Sequence, residues 1–323
     1  MVVRDEDDVI AESLAELLRW VDHVYVLDMG STDATWDIVN DLAARDGRVV
    51  PFKSRAYRFN DSIRGYIFNA FRERFADGDW IARTDADEIY HGDPRAFLRE
   101  GVRPHESVVY LAWYYFRLTS REVEVYDSGA MSLDEDRQRS ITDRRRYYKI
   151  PDYTEPRLFR YRATMQWPPA RTIPFNAGCV ARERIAIRHY PHRDPEQMKK
   201  RYALRSAMMK LNAEAGPHWK LDEWRKDVLE IDEATGAARE CTAATEGLAA
   251  ADGHTAGALH FWQPGEALPP LRGAGDLPSW PKQAVQRFVL PKVVRWMDAR
   301  RPGWPAAGEP ILVPDQNRGV LVS

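Results

Sequence analysis

Three aspartates stand at the ends of two apolar runs, and their placement sets what chemistry this chain can do. Val24-Tyr-Val-Leu-Asp28 runs into Met-Gly-Ser-Thr-Asp-Ala-Thr35, and Trp80-Ile-Ala-Arg-Thr84 runs into Asp85-Ala-Asp87-Glu88. Each run reads as a strand that delivers carboxylates to its C-terminal end, the edge where ligands bind in an open α/β sheet. Two carboxylates spaced i, i+2 at such an edge can grip a divalent cation, and hard oxygen donors suit Mg²⁺ or Mn²⁺. Asp28, on a separate strand, is placed to hydrogen-bond a ribose or a base. The implied ligand is a nucleotide diphosphate bridged by metal.

The elements that must position these groups alternate. The acidic cluster Asp5-Glu-Asp-Asp8 suits the positive end of a helix, and Ile10, Leu14, Leu17, Leu18 and Val21 then recur at helical spacing. After the strand ending at Asp28, Asp33 is a candidate N-cap for a helix bearing Trp36, Val39 and Leu42, stopped near Gly47. Residues 48–53 read as a strand, 61–75 as a helix and 80–84 as a strand. Asp93-Pro94 opens another helix with proline at its first position. Such alternation predicts a Rossmann-like, mostly parallel sheet flanked by helices. Past residue 105, strands over 108–118, 145–150, 156–161 and 184–190 follow without helices between them, an antiparallel extension. Asp194-Pro-Glu-Gln197 resembles an N-cap, a first-position proline and a capping-box partner, opening a long helix to about residue 215. A further helix is expected over 219–231, a flexible Ala/Thr/Gly-rich connection over 232–258, and a last amphipathic helix over 280–299. The predicted division is a catalytic domain over residues 1–193, a helical C-terminal region over 194–300 and an irregular tail over 301–323.

The bulk numbers exclude several classes. Forty-seven basic against 49 acidic residues give a net charge of −2, no platform for non-specific nucleic-acid binding. Cys179 and Cys241 are the only cysteines, too far apart for a zinc spacing or a disulfide framework, so a reducing cytoplasm is the expected setting. The most apolar stretch, Val108-Val-Tyr-Leu-Ala-Trp-Tyr-Tyr-Phe116, is far too short to span a membrane, and the first residues lack the pattern of a signal peptide. Met1 stands almost at the end of the first strand, where such a fold has several earlier residues. A longer reading frame is therefore expected.

Together the blocks Val3-Arg-Asp-Glu6, Val26-Leu-Asp-Met-Gly-Ser-Thr-Asp-Ala-Thr35 and Trp80-Ile-Ala-Arg-Thr-Asp-Ala-Asp-Glu88 resemble the family 2 glycosyltransferases of GT-A fold, in order and spacing, over roughly residues 1–95. A sub-branch of that family has a block similar to Arg188-His-Tyr-Pro-His-Arg-Asp-Pro-Glu-Gln197. The resemblance implies a metal-dependent, inverting transferase that uses a nucleotide-diphosphate sugar and an unknown acceptor. Val2, Arg4 and Glu6 would border the nucleotide-sugar, with Asp28 on the base or ribose and Arg64 on the nucleotide. Asp85 would approach the ribose and Asp87 would hold the metal. Arg4 departs from the aromatic residue that many relatives carry. The resemblance also makes His189 or His192 a third metal ligand, with His189 nearer the strand end. Their ordinary reading is a pair of loop histidines.

Lys199, Lys200, Arg201 and Arg205 form either a solvated basic face or cations over the departing diphosphate, where charge builds in the transition state. The base that deprotonates the acceptor should follow the acidic pair, and Glu155 and Asp194 are the candidates. Asp194 doubles as a helix cap. Glu88 is either an orienting neighbour of the pair or merely exposed. Trp113, Trp167 and Trp262 are the tryptophans to look for beside an acceptor groove.

Three rival classes are weighed. A nucleotidyltransferase could share the fold, but no Gly-rich, Arg/Lys-bearing phosphate loop stands near the N-terminus. A sugar kinase would need the Asp28-Met-Gly-Ser-Thr segment to turn back into a hairpin strand. A non-catalytic carbohydrate-binding protein would keep the fold and lose affinity for metal and nucleotide.

Overall fold

The computed structural model describes residues 1–57, 62–151, 154–168, 171–211, 224–231, 259–269 and 292. The first elements follow the sequence closely. β1 (Val2–Val3) leads to α1 (Ile10–Leu17), whose Ile10, Leu14 and Leu17 are buried at the predicted helical spacing. β2 (Val24–Asp28) then delivers Asp28, α2 (Thr35–Arg45) returns, and β3 (Val49–Ser54) pairs alongside. Asp33 supports the start of α2 by accepting from Thr35 N at 2.9 Å. The three strands form a parallel sheet in the order β1-β2-β3, with Val2 opposite Leu27 and Val24 opposite Val49.

α3 (Ile63–Phe71) ends in a 3₁₀ turn over Arg72–Arg74, and β4 (Trp80–Ala82) carries the chain to the acidic pair. β5 (Glu88–Tyr90) comes next. α4 (Pro94–Ala96) follows, capped by Asp93 and continued by a π-helical turn over Phe97–Gly101. β6 (Glu106–Arg117) is the hub of the second sheet. Nine of its twelve residues, Val108 through Phe116, are apolar or aromatic and mostly buried, as expected for a strand covered on both faces.

The expectation of no helix between β6 and the next strand fails. α5 (Ser120–Asp127), α6 (Leu133–Arg137) and α7 (Ile141–Arg144) occupy that stretch. Thr119 with Glu122 and Ser132 with Glu135 form capping boxes, and Ser140 accepts from Asp143 N. Each cap satisfies amide groups that the first turn leaves without partners.

The later strands are β7 (Tyr147–Lys149), β8 (Pro156–Arg160), β9 (Cys179–Val180), β10 (Ile185–His192) and β11 (His260–Phe261). They assemble in the order β11-β7-β6-β10-β5, with β8 and β9 also on β6 and β4 on β8. The antiparallel extension is present for β7 and β8. β10, however, runs parallel to β6 and antiparallel to β5. The result is a GT-A-like α/β fold, with a parallel sheet joined to a mixed one.

α8 (Pro195–Leu211) is the long helix foreseen after Asp194. The described part of the helix expected over 219–231 is only a 3₁₀ turn, Trp224–Asp227, followed by a bridge from Leu229 to Thr119. The connection over 232–258, the helix over 280–299 apart from Lys292, and the tail lie outside the described residues. Among the described residues, no helix is long and apolar enough to cross a membrane.

Candidate active site

Backbone pairing brings the acidic pair, the first strand and the histidine segment to one place. Val2 forms a parallel bridge with Asp85, so β1 ends beside the carboxylates. β10 enters between β5 and β6 with His189 opposite Glu88 and Tyr115, and Tyr190 N donates to Asp87 O at 2.8 Å. That register sets His189 Nε2 3.3 Å from Asp87 Oδ2. From α8, Arg201 Nη1 reaches the same oxygen at 3.2 Å. Val2, Arg4, Glu6, Arg64, Asp85, Asp87, Glu155, His189 and Arg201 all border one cavity of about 320 Å³, so nearly all the sequence candidates converge.

Charge compensation inside the cavity is dense. Burial alone would raise the Asp85 carboxyl, but Arg64 and Arg157 outweigh it and hold Asp85 below the usual range. Arg157 Nη2 lies 3.3 Å from Asp85 Oδ2, and Arg64 bonds the other oxygen. Asp87 is likewise held well down against its burial by His189, Arg201 and Arg193. Glu88 is buried rather than exposed. It accepts from Asp85 N at 3.2 Å and from Arg157, so it orients the acidic turn, and burial pushes its carboxyl up to about 7. Burial, with Asp87 and Asp8 nearby, lifts Glu6 to about 8 in spite of Arg193. Burial, then Arg64 and Arg157, brings Arg83 down to about 10. Glu155, 35 % exposed, is held by Arg83 at 2.9 Å. Trp113 lies under Arg157 and beside His189.

Six candidates are placed otherwise. Asp28 is wholly buried and accepts from Gly30 N, Ser31 N, Ser31 Oγ and Ser54 Oγ at 2.5–3.2 Å. Those donors use up the lone pairs of a carboxylate. Asp28 therefore fixes the turn that carries Met29 to the cavity wall, and direct contact with base or ribose is withdrawn. Asp194 is also fully buried. It caps α8 through Gln197 N at 2.8 Å and pairs with Arg137 at 3.1 Å and Arg144 at 3.4 Å, which leaves no room for work as a base.

His192 turns to Asp227 at 3.6 Å, because residues three apart on a strand point to opposite faces and a register shift intervenes. Lys199 lies over the Trp224 ring, away from the cavity that Lys200, Arg201 and Arg205 border. Trp167 packs on Phe68 and Trp262 on Phe116, in the core.

Sequence reasoning missed Arg157 and Arg193. Arg193 is fully buried, forked onto Asp8 at 2.7 and 2.8 Å, bonded to Glu6, and 4.0 Å from Asp87. It ties the first block of the chain to the start of α8. The alternation in Glu155-Pro-Arg157 put Arg157 on the same strand face as Glu155, which was the available signal.

The donors suit a divalent cation shared with a ligand. Among the described residues, no three His, Cys, Asp or Glu side chains stand together to cage an ion. Asp87 Oδ2 and His189 Nε2 are nevertheless as far apart as two adjacent ligands on one metal, each about 2 Å from it. Mg²⁺ and similar ions commonly take their remaining ligands from phosphate and water.

The parallel βαβ sheet with an acidic pair at its carboxyl edge defines a ligand-binding α/β enzyme of GT-A-like architecture. A profile described as Glycosyl transferase family 2 matches residues 1–167, just over half of the 323 residues, and the chain belongs to that family; it is a glycosyltransferase. No curated protein matches the chain.

Proposed function

We propose that this enzyme moves a sugar from a nucleotide-diphosphate sugar to an acceptor hydroxyl, with inversion, in a reaction that depends on Mn²⁺ or Mg²⁺. The observation that carries the reading is the meeting of Asp87, His189 and Arg201 in a cavity that Val2 and Arg4 also border. Val2 and Arg4 flank the base, and Arg64 with Arg157 keeps Asp85 ionised toward the ribose. Asp87 and His189 hold the cation, which when bound neutralises the leaving diphosphate. Arg201, with Lys200 and Arg205 beside it, adds fixed positive charge where the diphosphate departs. Glu155 accepts the proton of the acceptor hydroxyl as its oxygen attacks the anomeric carbon from the face opposite the diphosphate, so a single displacement inverts the centre. Two widely separated cysteines support a reducing, cytoplasmic setting.

The continuation of the Asp28 loop into α2 rather than a hairpin strand removes the sugar-kinase alternative. Calorimetry with a panel of nucleotide-diphosphate sugars, with and without Mn²⁺, tests the remainder. Mn²⁺ should tighten binding at least about tenfold in the native enzyme and not in Asp87→Asn. Equal affinity in both proteins would end the metal role. Sugar binding with no affinity for any nucleotide would favour a carbohydrate-binding protein.

A further inference from the structure

α8 presents two faces. Met198 and Tyr202 are buried in a cluster with Leu118 and Val123, which fixes the helix to the body of the protein. Gln197, Lys200, Arg201, Leu204 and Arg205 recur at helical spacing on the other face and border the active-site cavity. Lys200 turns back to Glu196 on its own helix at 3.1 Å, whereas Arg201 Nη1 donates to Asp87 Oδ2 at 3.2 Å. That oxygen is the one His189 Nε2 faces at 3.3 Å. A divalent ion shared by Asp87 and His189, about 2 Å from Oδ2, would stand no more than about 5 Å from Arg201 Nη1. Arg193 Nη1 is also 4.0 Å from this oxygen, and its bonds to Asp8 and Glu6 keep it there. With Arg193 fixed, the single charge of Asp87 cannot balance both Arg201 and a divalent ion in so buried a site. Arg201 is the group able to leave. Its side chain is 22 % exposed against 0 % for Arg193, and its Nε makes no hydrogen bond among the described residues.

We propose that Arg201 and the metal ion compete for Asp87, and that the diphosphate, by drawing Arg201 away, makes cation and nucleotide bind as a pair. This rests on the reading that Asp87 and His189 hold the cation. The ion alone must break a charge-assisted hydrogen bond on a buried carboxylate, so it binds weakly. A diphosphate oxygen gives the guanidinium another partner inside the same cavity. The side chain moves and the helix stays packed through Met198 and Tyr202. Each ligand thereby lowers the cost of binding the other, and linkage makes that effect equal in both directions. A cation that served the phosphates only would leave the affinity for metal untouched.

The test is calorimetry with Mn²⁺ alone on the native enzyme, Arg201→Met, Arg201→Gln and Lys200→Met. Both Arg201 variants should bind Mn²⁺ about 5–150-fold more tightly than the native enzyme. Lys200→Met, which removes an exposed charge from the same helix face, should stay within about threefold of it. In EDTA, the tightest binder among UDP, GDP, ADP and CDP should bind both Arg201 variants at least about threefold more weakly than the native enzyme. Opposite signs for metal and nucleotide are the signature of competition. Unchanged or weaker Mn²⁺ binding in both Arg201 variants overturns the proposal, and so does an equal gain in Lys200→Met. The metal reading survives either result if Asp87→Asn abolishes Mn²⁺ binding in the presence of the nucleotide. Undiminished Mn²⁺ binding in Asp87→Asn overturns that reading and the proposal with it.

Discussion

Replacing Arg193 by methionine probes the joint that holds the active site together. Its guanidinium is fully buried and forks onto Asp8, itself 1 % exposed, through Nε at 2.7 Å and Nη2 at 2.8 Å. It also donates to Tyr190 O at 3.1 Å and bonds Glu6. Without it, the nearest remaining cation to Asp8 is Arg144 at 3.9 Å. Removing one partner of a buried pair strands the other charge, at a typical cost of about 3–5 kcal/mol. With each kcal/mol worth about 2–4 °C in larger domains, the melting temperature should fall by roughly 6–20 °C.

A double-mutant cycle isolates the cause. Asp8→Asn removes the stranded charge, so Arg193→Met/Asp8→Asn should be less unstable than the sum of the single changes by about 1.5–3 kcal/mol. Nucleotide affinity should fall in parallel, because Glu6 and Asp87 both lose a neighbour. Urea denaturation of the four proteins gives the cycle. A fall below about 2 °C for Arg193→Met, or strict additivity, would refute the reasoning.

Glu155→Gln should lower turnover by about 10²–10⁴-fold while nucleotide affinity stays within about threefold; steady-state kinetics and calorimetry separate the two. Burial, with Arg117, Arg201 and Arg205 nearby and Asp227 opposing them, holds His192 well below 6.5. Below pH 6.5 the unfolded chain therefore binds a proton that the folded chain refuses. Stability should decline as pH falls from about 6.5, by up to about 1.4 kcal/mol per unit, and His192→Gln should flatten that slope in urea titrations. Gly65→Ala would set a methyl group 2.6 Å from Trp167 Cδ1, and the overpacking should cost about 1–3 kcal/mol with a shift in tryptophan fluorescence.

Local grammar was readable where local forces decide. β2 begins and ends where its apolar run does, and α4 starts at Asp93-Pro94, because a cap and a first-position proline act within one turn. The acidic pair and His189 were also legible, since strand ends at the carboxyl edge gather ligand groups whatever the loops do. Asp28 misled because its own loop, Gly-Ser-Thr, supplies donors two and three residues on, an Asx-type turn that competes with any ligand. The helices after Leu118 announced themselves in Thr-x-x-Glu and Ser-x-x-Glu, but their few apolar residues hid them from a reading based on periodicity. Arg193 was hidden for another reason, and Arg157 showed itself only through its alternation with Glu155. Arginine is ordinarily exposed, and its burial depends on carboxylates from distant segments that only the folded chain brings near.

The placement of β10 has a consequence for how the protein is made. Emerging from the ribosome, β5 and β6 appear long before the strand that lies between them in the finished sheet. Until Ile185–His192 arrives, both present open edges, the kind of template on which nascent chains pair wrongly. A fragment ending at residue 167, where the family match stops, would freeze the molecule at that vulnerable stage, and Asp87 would lack His189, Arg193 and Arg201. The smallest piece able to fold and bind must therefore reach through α8. Chaperone dependence during synthesis should end only once Pro195–Leu211 has cleared the exit tunnel.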